Sequence, residues 1–287
     1  MNDVRRSNLA AGVRTTALLA GLTGLLVVIG ALIGGPQMAL IFLGIGLVMN
    51  MGTYWFSDRI ALRMSRAQPL TPDQAPELHE MLGELSQAAG IPTPRLYGVP
   101  QAQPNAFACG RNPKHAAVAV TEGIVKALNR AELRGVLAHE LAHIRNRDTL
   151  TQAVAATIGG AITWLAYMLL FFQDDDSPLG LVGGLAMVLL APIAATIIQL
   201  AISRQREFAA DATGARIAHD ASGLASALER MEAGADAIPM QVNPSAEPLY
   251  IVKPLRGGGV KKLFSTHPPI PERVERLRSL DSGALAA

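Results

Sequence analysis

Four uncharged apolar runs, at residues 15–34, 37–56, 153–172 and 179–202, constrain this chain more than any other feature of it. Each is long enough to cross the roughly 30 Å hydrocarbon core of a bilayer as an α-helix rising about 1.5 Å per residue. Gly34, Gly35 and Pro36 separate the first two runs, and Asp174, Asp175 and Asp176 lie between the last two, so they read as two helical hairpins. For the second pair, a buried hairpin of a soluble core stands as the alternative, because periodicity does not separate the two cases. Half of the residues are apolar and 17% are charged, below the roughly 25% charged of an average soluble protein, which favours the membrane.

Positive charge sets the orientation, since Lys and Arg near span ends are retained on the cytoplasmic side. Arg5, Arg6 and Arg14 precede the first run, Arg59, Arg63 and Arg66 follow the second, Arg145 and Arg147 precede the third, and Arg204 and Arg206 follow the fourth. Both hairpin connections lack Lys and Arg. The sequence therefore predicts a multi-pass protein of the plasma (inner) membrane with its termini and all polar segments in the cytoplasm. The basic start could open a signal peptide, but it leads through a long apolar stretch into a second one without a small-residue cleavage site, so an uncleaved anchor is expected.

Other classes are excluded by what the chain lacks. Its single cysteine, Cys109, allows neither an intramolecular disulfide nor a cysteine-rich zinc site. It reads as a small buried apolar residue in a reducing compartment. The formal net charge is only +2, and Lys and Arg form no long basic stripe, so nucleic acid is not an expected partner. The apolar runs contain almost no ionisable group to line a transport pathway, Gln199 being the main polar exception.

The polar remainder divides into an N-terminal segment, 1–14, and two globular parts, 57–150 and 203–287, set beside apolar hairpins at 15–56 and 151–202. Thr71, Pro72, Asp73 and Gln74 offer a helix start before Leu78, Met81, Leu82 and Leu85, and Gly90, Pro92 and Pro94 end that helix. Short strands are expected at residues 95–99, 105–108 and 116–121. From Arg130, an apolar stripe of Leu133, Val136, Leu137, Leu141 and Ile144 predicts another helix. The final part holds two more helical patterns around a Gly- and Pro-rich stretch whose loosest point is Gly257, Gly258 and Gly259.

The predicted helix from Arg130 carries His139, Glu140, Leu141, Ala142 and His143. Two histidines four residues apart lie about one turn apart, so both imidazoles face one ion. Zn²⁺ polarises a scissile carbonyl and lowers the pKa of a water to about 7, while a carboxylate beside the first ligand accepts the proton and passes it to the leaving amine. With six His and twelve Glu in 287 residues, about 0.005 chance matches to this pattern are expected. A catalytic zinc needs a third protein ligand. Asn146 and Thr149 stand where the extended three-histidine motif requires Gly and His, which excludes that solution. His79, His115 and His219 have no neighbouring motif and read as solvated or core residues. Glu207 and Asp211 are again four apart on one predicted helix face. Spacing alone leaves two readings: Glu207 as ligand with Asp211 bonded to a ligand imidazole, or a solvated acidic pair beside Arg204 and Arg206.

Taken together, the paired N-terminal runs, Asn105-Ala106-Phe107-Ala108, HELAH, the second apolar hairpin, Glu207-Phe208-Ala209-Ala210-Asp211 and Ser265-Thr266-His267-Pro268-Pro269 resemble the HtpX-type membrane zinc metallopeptidases, which are similar to the CAAX prenyl proteases. That resemblance covers nearly the whole chain. It implies an integral membrane protein, mainly α, with about four transmembrane helices and a gluzincin-like cytoplasmic protease domain carrying a small β-sheet. It implies one Zn²⁺ held by His139, His143 and Glu207, with Glu140 catalytic and Asp211 behind a ligand. It further implies His267 as a donor to the oxyanion of the tetrahedral intermediate, and Asn105, Ala106 and Phe107 as an edge along which an extended substrate is laid. The implied role is quality control of membrane proteins, with polypeptide substrates and the lipid bilayer as partners.

From topology, His143 lies eight residues before Thr151 and Glu207 five after Ile202. If both helices continue, the zinc sits within roughly 10–15 Å of the cytoplasmic surface of the bilayer. The competing expectation is a catalytically silent, zinc-containing membrane scaffold or adaptor, and Glu140 discriminates, because a purely structural site needs no base beside its first ligand.

Overall fold

The computed structural model describes residues 2–152, 154, 204–238, 250, 251 and 268–283. Helix α1 runs over Asn2–Met64, but Gly34 (φ −152°, ψ 28°) and Gly35 (φ 66°, ψ −157°) are not helical and divide it into two arms. The left-handed φ at Gly35 suits a residue without a Cβ, and Pro36 follows where a helix tolerates a missing N–H. Asn50 ties the arms together, its Nδ2 donating to the Leu19 carbonyl at 3.1 Å and to Thr23 Oγ1 at 2.7 Å.

Among the described residues one helix, Gly34–Met64, is long and apolar enough to cross a membrane, with a shorter apolar stretch at Leu19–Val28 on the preceding arm. Leu40 and Val48 are 69% and 73% exposed. Such continuous apolar exposure fits a lipid surround better than water. From residue 155 the second apolar hairpin lies outside the described residues, as does the Gly257–Gly259 stretch.

Beyond Phe56, α1 enters the globular part, where Ser57, Asp58, Ala61, Leu62 and Ser65 are buried. A four-stranded sheet follows: β1 (Gln68–Pro69), β2 (Arg95–Val99), β3 (Ala106–Gly110) and β4 (Ala116–Thr121), in the order β1-β2-β4-β3. β2 and β4 are parallel and the other pairs antiparallel. Side chains alternate across it with period two. Ala106, Ala108, Val118 and Val120 join the main helical core, while Phe107, Cys109, Ala117 and Ala119 pack with Ala61, Leu62 and Tyr250.

The sheet is packed among helices α2 (Pro76–Ala89), α3 (Glu122–Ala127), α4 (Arg130–Asn146), α5 (Arg204–Ala218), α6 (Ser222–Ala237) and α7 (Ile270–Gly283), with a short 3₁₀ turn at Pro113–His115. α4 is the hub, packed against α2, α5, α6 and β3. Its expected stripe is buried, and Asn129 and Glu132 form a reciprocal capping box at its start.

Local boundaries depart from the sequence reading at three places. α2 begins at Pro76 rather than near Gln74, because the Gln74 side chain accepts from the Thr71 N–H and closes a turn there. The strand expected at 105–108 runs instead over Ala106–Gly110, following its antiparallel register with β4 from Val120 to Ala116. The helix expected to run on from His143 toward the third apolar stretch stops at Asn146. Arg147 takes a left-handed conformation (φ 60°) and donates its N–H back to the last turn, and helical backbone resumes at residues 148–152.

Candidate metal centre

α4 and α5 approach unusually closely because their contact is made of small residues. A Cβ on Gly214 would lie 2.9 Å from the His139 Cα and backbone nitrogen, so a side chain there would force the helices apart. Ala210, on the same helix, is also fully buried. This contact brings Glu207 of α5 against the two histidines of α4.

His139 and His143 point their Nε2 atoms at each other across 3.1 Å, with the rings at 90°. Glu207 Oε2 lies 3.8 Å from His139 Nε2, and Oε1 lies 3.6 Å from His143 Nε2. All three side chains are buried, and a ligand atom from each lies within 4.8 Å of the others. Each histidine presents its other nitrogen to a carboxylate: His139 Nδ1 stands 2.9 Å from Asp211 Oδ1, and His143 Nδ1 stands 3.3 Å from Asp148 Oδ2. Those carboxylates favour the Nδ1–H tautomers and leave both Nε2 lone pairs facing inward. Two lone pairs and a carboxylate converging in a buried space could hold a cation. Two imidazoles and a carboxylate are a donor set suited to catalytic Zn²⁺, so the residues present fit that ion.

The proton affinities say the same. Burial lowers the His139 pKa, against the pull of Asp211. Burial works against protonated His143 too, but Glu207 and then Asp148 outweigh it and hold its pKa up at about 9. With protons as the only cations, positive charge thus collects where three ligand side chains meet.

Glu140 is 3% exposed. Burial, reinforced by the Glu207 charge, pushes its pKa up to about 7, against His143, the Ala108 backbone N–H and Arg273. A carboxyl poised near neutrality is suited to accept and return a proton at physiological pH.

Behind the ligands stands Arg273 of α7, wholly buried. Its Nε donates to Asp211 Oδ2 at 2.8 Å and its Nη2 to Oδ1 at 2.6 Å, while Nη1 lies 3.8 Å from Glu207 Oε2. Burial would raise the Asp211 pKa, but the guanidinium overrides it and holds it at about 2. Arg206 approaches Asp148 at 3.8 Å.

The structure therefore brings His139, Glu140, His143, Glu207 and Asp211 to one place. Ala106 and Phe107 lie on β3, an outer strand of the sheet, and Asn105 immediately precedes it. Asn105 is buried, and its Oδ1 accepts the Ala106 N–H. The Phe107 ring packs edge-on against Tyr250 at 5.2 Å, away from the ligands' side of the sheet. His267 lies outside the described residues. Sequence reasoning missed Asp148 and Arg273. Asp148 reaches His143 only because the helix breaks at Arg147, where neither Gly nor Pro marks a break. Arg273 sits among the charges of a helix whose neighbouring arginines are exposed.

The model of Peptidase family M48 matches residues 72–281 of the chain. A protease HtpX homolog of Pelotomaculum thermopropionicum is 52% identical over 92% of this chain and 96% of its own length. One from Syntrophobacter fumaroxidans is 50% identical over 93% and 98%. In fold, the chain is similar to the crystal structure of S. mikatae Ste24p, with a TM-score of 0.54 at 16% identity over 96% of this chain and 67% of that one.

Proposed function

The chain belongs to peptidase family M48, and we propose that it is a membrane-bound zinc endopeptidase in which His139, His143 and Glu207 hold the metal. The observation that carries this reading is the 3.1 Å approach of two buried Nε2 atoms beside the Glu207 carboxylate, with Glu140 next to the first of them. When bound, Zn²⁺ would supply a Lewis acid that polarises the scissile carbonyl and brings the pKa of a water near 7.

Glu140 takes the proton of the attacking water as its oxygen adds to the carbonyl carbon, then returns that proton to the amide nitrogen as the C–N bond breaks. Asp211 and Asp148 hold the imidazoles with Nε2 forward, and Arg273 keeps Asp211 ionised. The outer strand β3, with Asn105 ahead of it, receives the substrate main chain as an added strand. His267 serves the oxyanion. The buried Glu140 carboxyl directly after His139 favours the enzyme over a silent scaffold, because a purely structural site needs no base beside its first ligand.

We assign the gluzincin-like protease domain to residues 57–150 and 203–287, interrupted by a hairpin at 151–202 that, like residues 15–56, crosses the membrane and gives about four spans. Glu207 lies five residues after the fourth apolar run, which still keeps the centre near the lipid on the cytoplasmic side although α4 ends at Asn146, and this favours cytoplasmic segments of damaged or misassembled membrane proteins as substrates. The test is cleavage of an unfolded model polypeptide by detergent-purified protein before chelation, after it, and after zinc is restored. Activity should vanish and return, and cleavage that survives complete metal removal contradicts the reading. For the quality-control role, reconstituted enzyme should cleave a destabilised membrane protein faster than a soluble unfolded one. Equal rates count against it.

A further inference from the structure

Where α1 leaves its apolar stretch, the structure holds a second built feature about which the peptidase reading says nothing. A cavity of about 560 Å³ opens beside Trp55 and Phe56, and Arg59, Arg95, Arg111 and Lys114 line it with Asp58. Four permanent cations thus face one carboxylate. That carboxylate is already engaged, because Arg95 Nη2 donates to Asp58 Oδ2 at 2.6 Å. Arg111 is fixed by the indole, its guanidinium carbon 4.8 Å from the Trp55 ring centroid and its Nη1 3.4 Å from the Trp55 carbonyl. Arg59 lies over the Phe56 ring at 5.4 Å. Lys114 is held nearby on the short 3₁₀ turn Pro113–His115, whose N-terminus Asn112 caps.

Position tells which anion belongs there. Twenty residues separate Gly35 from Trp55, or about 30 Å of helix, the thickness of a bilayer's hydrocarbon core. With the turn at Gly35 on one face, Trp55 and Phe56 reach the opposite interface, the level that tryptophan prefers. The cationic groups then stand at the phosphate plane of that leaflet, while the exposed side chains of Leu47, Val48 and Met51, in the half of the helix nearer Trp55, lie alongside its acyl chains. A free anion would use the charge but not the adjoining apolar wall. An anionic phospholipid uses both, and guanidinium groups suit the oxygens of a phosphodiester.

We propose that this cavity is a binding site for the phosphate-bearing headgroup of an anionic phospholipid. It rests on the membrane placement of α1 and not on peptide-bond cleavage. Because Arg111 directly follows β3, a headgroup seated there touches the end of the strand proposed to receive substrate.

The test is native mass spectrometry of the full chain in neutral detergent, titrated with phosphatidylglycerol, phosphatidylcholine or inorganic phosphate. The combined variant Arg59→Gln, Arg111→Gln, Lys114→Gln is compared with the wild type, and Arg95 is kept because it neutralises Asp58. Wild type should bind phosphatidylglycerol at least tenfold more tightly than phosphatidylcholine, and the variant should lose that preference while keeping the wild-type zinc content. Should the triple variant not fold, Lys114→Gln alone, at an exposed position, should weaken phosphatidylglycerol about threefold. Equal affinity for the two lipids in the wild type, or an unchanged preference in the variants, overturns the proposal. Displacement of phosphatidylglycerol by millimolar inorganic phosphate also overturns it, because the site would then take a free anion rather than a lipid.

Discussion

His139 and His143 share a helix face but not a proton affinity. At pH 7 the first is neutral and the second, held up at about 9 by Glu207 and Asp148, carries a proton in the absence of metal. Zinc must displace that proton, so apparent zinc affinity should fall about tenfold per pH unit as pH drops from 9 to 7. His139, already neutral there, adds nothing to the slope. Competition against a chelator at fixed pH values measures this, and a flat profile would remove His143 from the ligand set. Replacing Asp148 by Asn takes away the negative charge behind His143 and should weaken zinc by about 10–100-fold without abolishing binding. The sequence showed His139, Glu140 and His143 plainly, because helical spacing alone places two imidazoles together. It left Glu207 open on spacing, since the approach of α5 depends on Gly214 and Ala210 rather than on the acidic pair itself. Asp148 was hidden, because its distance to His143 is set by a left-handed Arg147 that carries no glycine signal.

Two helix contacts decide whether the ligands meet. Gly214→Ala places a methyl 2.9 Å from the His139 backbone, an overpacking expected to cost about 1–3 kcal/mol. Because it widens the gap that Glu207 must span, zinc affinity should fall with stability. Denaturation and metal titration of one sample check both, and an unchanged zinc affinity would separate the helix contact from the centre. α7 is locked through Arg273, whose removal strands a buried carboxylate. Arg273→Met should cost about 3–5 kcal/mol. Asp211 is held at about 2, below its ordinary range, so its pairing contributes stability above roughly pH 4. That contribution is lost as pH falls through about 2, and the Arg273→Met protein should lack this acid-dependent component in its melting curves. Helices α2 and α4 were legible from their apolar stripes, whereas the Asn129–Glu132 capping box that starts α4 emerged only in the structure. The two-residue β1 was not, since so short a strand exists only by pairing with β2.

At the scale of the whole molecule, among the described residues α1 passes from its exposed apolar stretch into the globular part without a separate linker. Residues 37–56 expose apolar side chains, and the same helix ends buried beneath the sheet that carries β3. The length of the apolar runs made the membrane legible in the sequence, and Arg placement gave an orientation that the fold alone does not. Cysteine labelling checks it. Cys109 is fully buried, so a membrane-impermeant maleimide should label Gln37→Cys in intact cells and Glu77→Cys only after permeabilisation. The reverse pattern would invert the topology. The central claim is that this membrane-embedded fold converges on a zinc site whose base is Glu140. Its most direct test pairs zinc content with peptide cleavage in the wild type and in Glu140→Gln. The account predicts one zinc per chain in both proteins and a loss of cleavage of about 10²–10⁴-fold in the variant, whereas wild-type cleavage by Glu140→Gln, or activity in protein without zinc, would contradict it.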